Sequence, residues 1–262
     1  MKKRYLLLPL FVFLLVSACF GTAVLAGPAG FSTGELPEES KKNIAGNISL
    51  RVLAEEPRQI MGIRSFDVDG EGNVVIGTKM LTRANICVYD AGGNFKYGFT
   101  YREEGAFGVA FNGGCIDIYS VRGDLAITVD PDGNITDILR IQETPANREY
   151  WHENVWADKR TAGDTEYTAK NEKGLFNIFS SSYSKLVSRN PEGVETVLYD
   201  ANTPQLIIDY AVLAVVLGLI ATVAVVIPLE FKRARKRWNE RRKNDPNASP
   251  VDWELFWEKL RK

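Results

Sequence analysis

Tyr210 to Leu229 is a run of 20 residues without a charge, bounded by Asp209 and Glu230. A helix of that length, at ~1.5 Å per residue, matches the roughly 30 Å hydrocarbon core of a bilayer. A soluble helix of this size would keep a polar face, and this run has none. Directly after it, eight of the twelve residues from Lys232 to Lys243 are basic. The positive-inside rule then predicts a transmembrane helix at 206–229, a cytoplasmic C-terminus and an extracytoplasmic body.

The other apolar stretch is N-terminal and supports three readings. Lys2-Lys3-Arg4 followed by Tyr5 to Ala26 fits a signal peptide at 1–26, with Val24-Leu25-Ala26 as a small-residue cleavage site before Gly27. The same 22 residues are long enough for an uncleaved anchor, which would make the protein two-pass. Val16-Ser17-Ala18-Cys19 resembles a lipobox, but the apolar run continues past Cys19. All three keep the middle of the chain outside, and the cleaved signal fits the layout best. The expectation is a single-pass protein of a cell membrane, bacterial in style.

Charge is segregated in the same sense. The overall net charge is −1, yet the stretch between Gly27 and Leu229 holds 18 basic and 27 acidic residues, while both ends are basic. An acidic body excludes a general nucleic-acid binder, whose folded domain should itself be basic. Hydrophobic residues at 45% are enough to build a core.

Residues 27–46 read as a linker and 47–205 as an extracytoplasmic β-repeat domain. Three segments share one layout of short strands and Gly turns. The first has strands Ser65–Asp69, Val74–Thr78, Asn85–Asp90 and Phe95–Tyr101. The second has Phe107–Phe111, Cys115–Ser120, Leu125–Asp130 and Ile135–Ile141. The third has Thr165–Ala169, Leu175–Ser180, Ser184–Arg189 and Val194–Tyr199. Gly-Gly and Pro-Asp-Gly-Asn turns supply the positive φ angles of tight hairpins. Alternation such as Ile116 and Ile118 against Asp117 and Tyr119 marks half-buried strands. Short strands at regular spacing predict an all-β fold of antiparallel meanders.

Phe66-Asp67-Val68-Asp69-Gly70-Glu71-Gly72-Asn73 and Val129-Asp130-Pro131-Asp132-Gly133-Asn134-Ile135 resemble the blade turns of NHL-type and related β-propellers. In those, each blade is a four-stranded antiparallel meander of about 40 residues. The resemblance implies a binding or scaffolding platform with propeller-like blades and says nothing of a ligand. Three blades, with a leftover strand at Asn47 to Ala54 that fits the end of a preceding blade, make a partial propeller. Such a set either leaves open sheet edges for a protein partner or a second copy, or closes within one chain as a distorted sandwich or barrel.

Candidate sites are few. The interval between the second and third units holds about twenty extra residues around Gln142 to Asp164, with Tyr150, Trp151 and Trp156. Long insertions often carry function and these residue types favour interfaces; the bland alternative is that the tryptophans cap the core. His152-Glu153 begins like a zinc-protease motif but is the chain's only histidine. Asp67 to Gly72 loosely resembles a calcium loop, yet position twelve is Thr78, so a hairpin turn is expected. No catalytic motif, metal site or cofactor is implied. A carboxylate pair in an exported, envelope-directed hydrolase is the alternative to a non-enzymatic module. Cys87 and Cys115 are expected as two buried thiols.

The tail at 230–262 is read as a basic, membrane-surface segment. Lys232, Arg233, Arg235, Lys236 and Arg237 would attract anionic lipid. Beyond Asp245-Pro246, Trp253, Phe256, Trp257 and Leu260 fall on one face of an amphipathic helix from Pro250 to Leu260, suited to the inner leaflet.

Overall fold

A computed structural model describes residues 30–244. The signal segment and the tail helix carrying Trp253, Phe256 and Trp257 lie outside the described residues. The chain divides into two units, one up to Asn202 and one from Thr203 onward.

The first unit opens with strand β1 (Thr33–Gly34), helix α1 (Glu38–Asn47) and strand β2 (Arg51–Val52). Three antiparallel meanders follow. Blade 1 is β3 (Gly62–Val68), β4 (Val74–Met80), β5 (Arg83–Tyr89) and β6 (Phe95–Arg102). Blade 2 is β7 (Phe107–Asn112), β8 (Cys115–Ser120), β9 (Leu125–Val129) and β10 (Ile135–Ile141). Helix α2 (Pro145–Tyr150) and a π-helical turn (Trp151–Val155) lead to blade 3: β11 (Lys159–Ala162), β12 (Thr165–Lys170), β13 (Lys185–Arg189) and β14 (Glu195–Asp200).

Five-residue hairpin loops recur because one sequence solves one geometric problem. In Asp69–Asn73, Asp90–Asn94 and Asp130–Asn134, the first residue's Oδ1 accepts from the N–H groups of the third and fifth at 2.8–3.0 Å. The Asn side chain donates back to the same Asp carboxylate. Asn190–Val194 repeats the backbone closure, with Oδ1 of Asn190 accepting from Val194 N–H. The fourth residue is Gly72, Gly93, Gly133 or Gly193, each at φ between +81° and +89°, where a side chain is strained. The Asp67–Gly72 stretch is therefore part of a hairpin.

These bonds set a pH dependence. The Asn94 side chain and N–H hold the Asp90 carboxylate below its ordinary value, and Asn134 does the same for Asp130. Depressed carboxylates stabilise the fold above the unfolded value of about 4 and lose that contribution as pH falls through the folded value. Urea midpoints measured from pH 7 down to pH 3 should fall, and less steeply in the D90A/D130A variant. An equally steep fall in both proteins would remove these turns as its source.

The blades pack through alternation. In blade 1, Val75, Ala84, Ile86, Val88, Phe99 and Tyr101 face Phe107, Val109, Ile116, Ile118, Ile127, Val129 and Ile138 of blade 2. The opposite face carries Phe66, Val74, Ile76, Cys87 and Tyr89 against Tyr167, Leu186, Leu198 and Tyr199 at the end and in the strands of blade 3. Blade 1 is thus a central layer buried on both faces, so β4 and β5 each carry a continuous apolar stretch, Val74 to Gly77 and Ile86 to Tyr89. Among the described residues blades 2 and 3 share no core cluster, and the three sheets do not form a closed propeller. The outer face of blade 2 is sealed instead by Phe31, Tyr150, Trp151, Val155 and Trp156 over Tyr119, Ala126 and Ile141.

The N-terminal segment, read from sequence as a linker, is structured. Glu38 and Glu39 follow Pro37 in the first turn of α1, where acids offset the helix dipole, and Lys41 ties the helix to Asp137 of β10 at 2.7 Å. The strand expected at Asn47–Ala54 contracts to β2, which covers β6 as a fifth strand of blade 1 and does not end a preceding blade. β1 covers β10 in the same way. Both additions pair backbone groups that an edge strand would leave open.

The third meander also differs from the sequence reading. Its first strand is β11, a polar segment with no apolar signal. The strand expected at Leu175–Ser180 is a 3₁₀ helix, Gly174–Phe179. Asn177 accepts from Lys173 N–H at 3.0 Å and donates to Asn171 O at 3.2 Å, local bonds that compete with a ladder.

The second unit is dominated by α3 (Asn202–Asn244), one continuous helix through Pro228 and the basic segment. Its apolar window has a mean hydropathy of 2.9 and none of it is buried, so by length and composition it is able to cross a membrane. Thr222 Oγ1 donates to Gly218 O at 2.8 Å, satisfying a side chain that lipid could not.

Candidate functional site

Meanders alternate ends, so the three blades present two different rims. The Asp-Asn and Asn-Val hairpin loops share one. The other gathers the β4–β5 turn, the β6–β7 connection, the residues leading into β11 and the long β12–β13 loop. A cavity of about 600 Å³ opens at this second rim, lined by residues that include Arg64, Lys79, Glu104, Phe107, Trp156, Asn171 and Ser180 to Tyr183.

Each wall has a local cause. Paired backbone bonds between Ile63 and Tyr183, at 2.8 and 3.0 Å, pin the β12–β13 loop against β3. Arg64 follows Ile63, and its Nη1 donates to Ser181 O at 3.0 Å and Ser181 Oγ at 2.8 Å. Trp156 ends the π-helical turn, stacked on Trp151 at 4.8 Å with Nε1 directed at Phe107 O. Lys79 sits near the end of β4 and donates to Gly105 O.

The electrostatics are unusual for an acidic body. Arg64 makes no ion pair with any described residue, and its Nε is buried without a hydrogen-bond partner. Asn171 Oδ1, on the same cavity, is likewise buried and unpartnered. Burial pulls the guanidinium of Arg64 below its ordinary value. Lys79 is lowered first by burial, with Arg64 adding to the effect, while Glu103 and Glu104 act on it in the opposite sense from beyond ion-pair distance. Glu104 is the one carboxylate among the described lining residues, and it is engaged by Arg102 and Arg122. The cavity therefore presents two under-compensated cations, hydroxyls and an aromatic wall.

The residues singled out from sequence are distributed as follows. Tyr150 and Trp151 are half-buried around Phe31 at 4.6 and 4.8 Å, over the outer face of blade 2. Trp156 is shared between that cluster and the cavity. His152 is exposed, edge-on to Trp156 at 5.5 Å. Lys232, Arg233, Arg235, Lys236 and Arg237 are exposed along α3, with Arg233 paired to Glu230 at 2.6 Å. Cys87 is a buried thiol, pushed up to about 12 by burial, whereas Cys115 is only half-buried; neither is in a disulfide. Among the described residues no group of three His, Cys, Asp or Glu is placed to hold a metal ion.

Arg64 and Lys79 were not singled out from sequence. Gly62-Ile63-Arg64-Ser65-Phe66 does carry a signal: a cation placed between the buried Ile63 and Phe66. No motif marks it, because its partner residues arrive from far along the chain.

No protein-family model matches the chain, and no curated protein matches it. Among solved structures it is similar to a selenomethionine-substituted virginiamycin B lyase from Staphylococcus aureus, a β-propeller, at 12% identity and a TM-score of 0.18. That similarity covers 58% of this chain, which spans 59% of the lyase's length.

Proposed function

We propose that the chain is a membrane-anchored, extracytoplasmic binding or assembly module built of propeller-like β sheets, and that it is not an enzyme. The observation that carries this reading is the asymmetry of the outer edges. β6 and β10 are covered by β2 and β1, but among the described residues no fifth strand covers β14. Val194 and Val197 stand 60% and 50% exposed there. At the far end of β14, Asp200 N–H donates to Gln59 Oε1 at 2.7 Å. An open edge with apolar side chains accepts an added strand from a protein partner or a second copy. Three exposed apolar residues in the β4–β5 turn and the β12–β13 loop, Leu81, Leu175 and Ile178, add contact surface. Lipid is the second partner, through α3 and its basic extension.

Lysine on an edge strand blocks strand addition. Full-length protein in native membranes should give cross-linked adducts, with itself or a partner, and the V194K/V197K variant should lose them at least ~10-fold at an unchanged melting temperature, on the scale of ~1.4 kcal/mol per decade. Equal cross-linking of variant and wild type would remove the edge from the reading.

A further inference from the structure

We infer that the cavity at the second rim is a phosphate-binding site, with Arg64 as its anchor and Lys79 as its second cation. This goes beyond the edge-strand reading and stands on different residues. A guanidinium presents donors in a planar fork, and here only Nη1 is committed, to Ser181. A half-buried cation with no ion-pair partner among the described residues gains from an anion that joins it. Lys79 lies close enough to Arg64 for the two charges to repel, so a shared anion relieves both. Ser180 Oγ is committed to Ser182 O at 2.7 Å, but the neighbouring Ser181 and Ser182 bring hydroxyls to the same wall, a donor type that suits tetrahedral oxyanions. Neither nearby carboxylate is ion-paired to these cations: Glu104 is held by Arg102 and Arg122, and Glu103, which offsets Lys79 in part, accepts from Gly105 N–H at 2.7 Å.

The cavity is larger than a bare phosphate needs, and Phe107, Trp156 and Tyr183 form its apolar side. The bound species is therefore a phosphate ester with an apolar or ring-bearing body, whether a free small molecule or a phospholipid headgroup. The two sources share the chemistry and differ in what carries the phosphate.

The test uses full-length protein in neutral detergent at constant ionic strength. Inorganic phosphate, phenyl phosphate and short-chain phosphatidylglycerol are titrated separately and followed by phosphorus NMR line broadening. Saturable binding is expected, with phenyl phosphate at least tenfold tighter than inorganic phosphate if the source is a free ester. Binding of phosphatidylglycerol alone would assign the lipid source. In Arg64→Gln and in Lys79→Met, binding of whichever probe is recognised should weaken tenfold or more. The unliganded melting temperature should shift by no more than a few degrees, because each change removes a charge that the fold leaves uncompensated. Lys79→Met carries the test if Arg64→Gln does not fold. Absence of saturable binding by all three probes, or binding unchanged in both variants, overturns the proposal.

Discussion

Gly108→Ala is expected to destabilise the β unit by ~3 kcal/mol, lowering its melting temperature by roughly 6–12 °C. Gly108 lies in β7, and a Cβ there would stand 1.9 Å from Cγ1 of Val155. Val155 has little room to retreat. It is 3% exposed, its carbonyl accepts from Ser65 Oγ at 2.7 Å, and the same hydroxyl accepts from Val109 N–H at 3.2 Å. One serine thus joins β3, β7 and the π-helical turn, and any shift of Val155 disturbs all three. Val155→Ala removes the clashing methyl and by itself costs ~1–2 kcal/mol through the cavity it leaves. The double variant should be more stable than the sum of the two changes by over ~1 kcal/mol. Simple additivity in urea denaturation would mean that the seam relaxes more readily than its geometry implies.

Ending the chain at Asn202 is expected to move the protein wholly from the detergent phase to water in a Triton X-114 partition. About 20 apolar residues contribute several kcal/mol of insertion free energy, far more than the polar surface of the β unit could offset. On the proposed topology, with the cations after Glu230 on the inner side, protease added outside intact cells should digest the β unit of the full-length protein and spare a C-terminal tag. Reversing Lys232, Arg233, Arg235, Lys236 and Arg237 to glutamate should expose that tag in a substantial share of molecules. A wild-type protein that dissolves without detergent would contradict both expectations.

The strand pattern was legible wherever turn chemistry and alternation agreed. Blades 1 and 2 lie where Asp90 to Asn94, Asn112 to Gly114 and Asp130 to Asn134 place their turns. Blade 3 was blurred because β11 is polar and because Leu175 to Phe179 is apolar enough to read as a strand while Asn177 turns it into a helix. Tyr150, Trp151 and Trp156 announced that the insertion matters, but periodicity cannot say that two of them spend their surface on Phe31 and Tyr119. Arg64 was invisible for a deeper reason. A lone cation becomes informative only when the chain that surrounds it is known to leave it without an ion pair, and those surroundings come from residues 79 to 183.

The two short strands that cover blades 1 and 2 lie before either blade in the chain. Ser32 and Asn147, which bond each other beside β1, are 115 residues apart, and Arg51 in β2 must wait for Thr100. Neither seal can form until its blade has been synthesised, and closing loops of that length is slow relative to local hairpins. A chain emerging in order therefore completes its hairpins first and closes its outer borders last, and a product that stops before Ile141 is left with the border of blade 2 exposed.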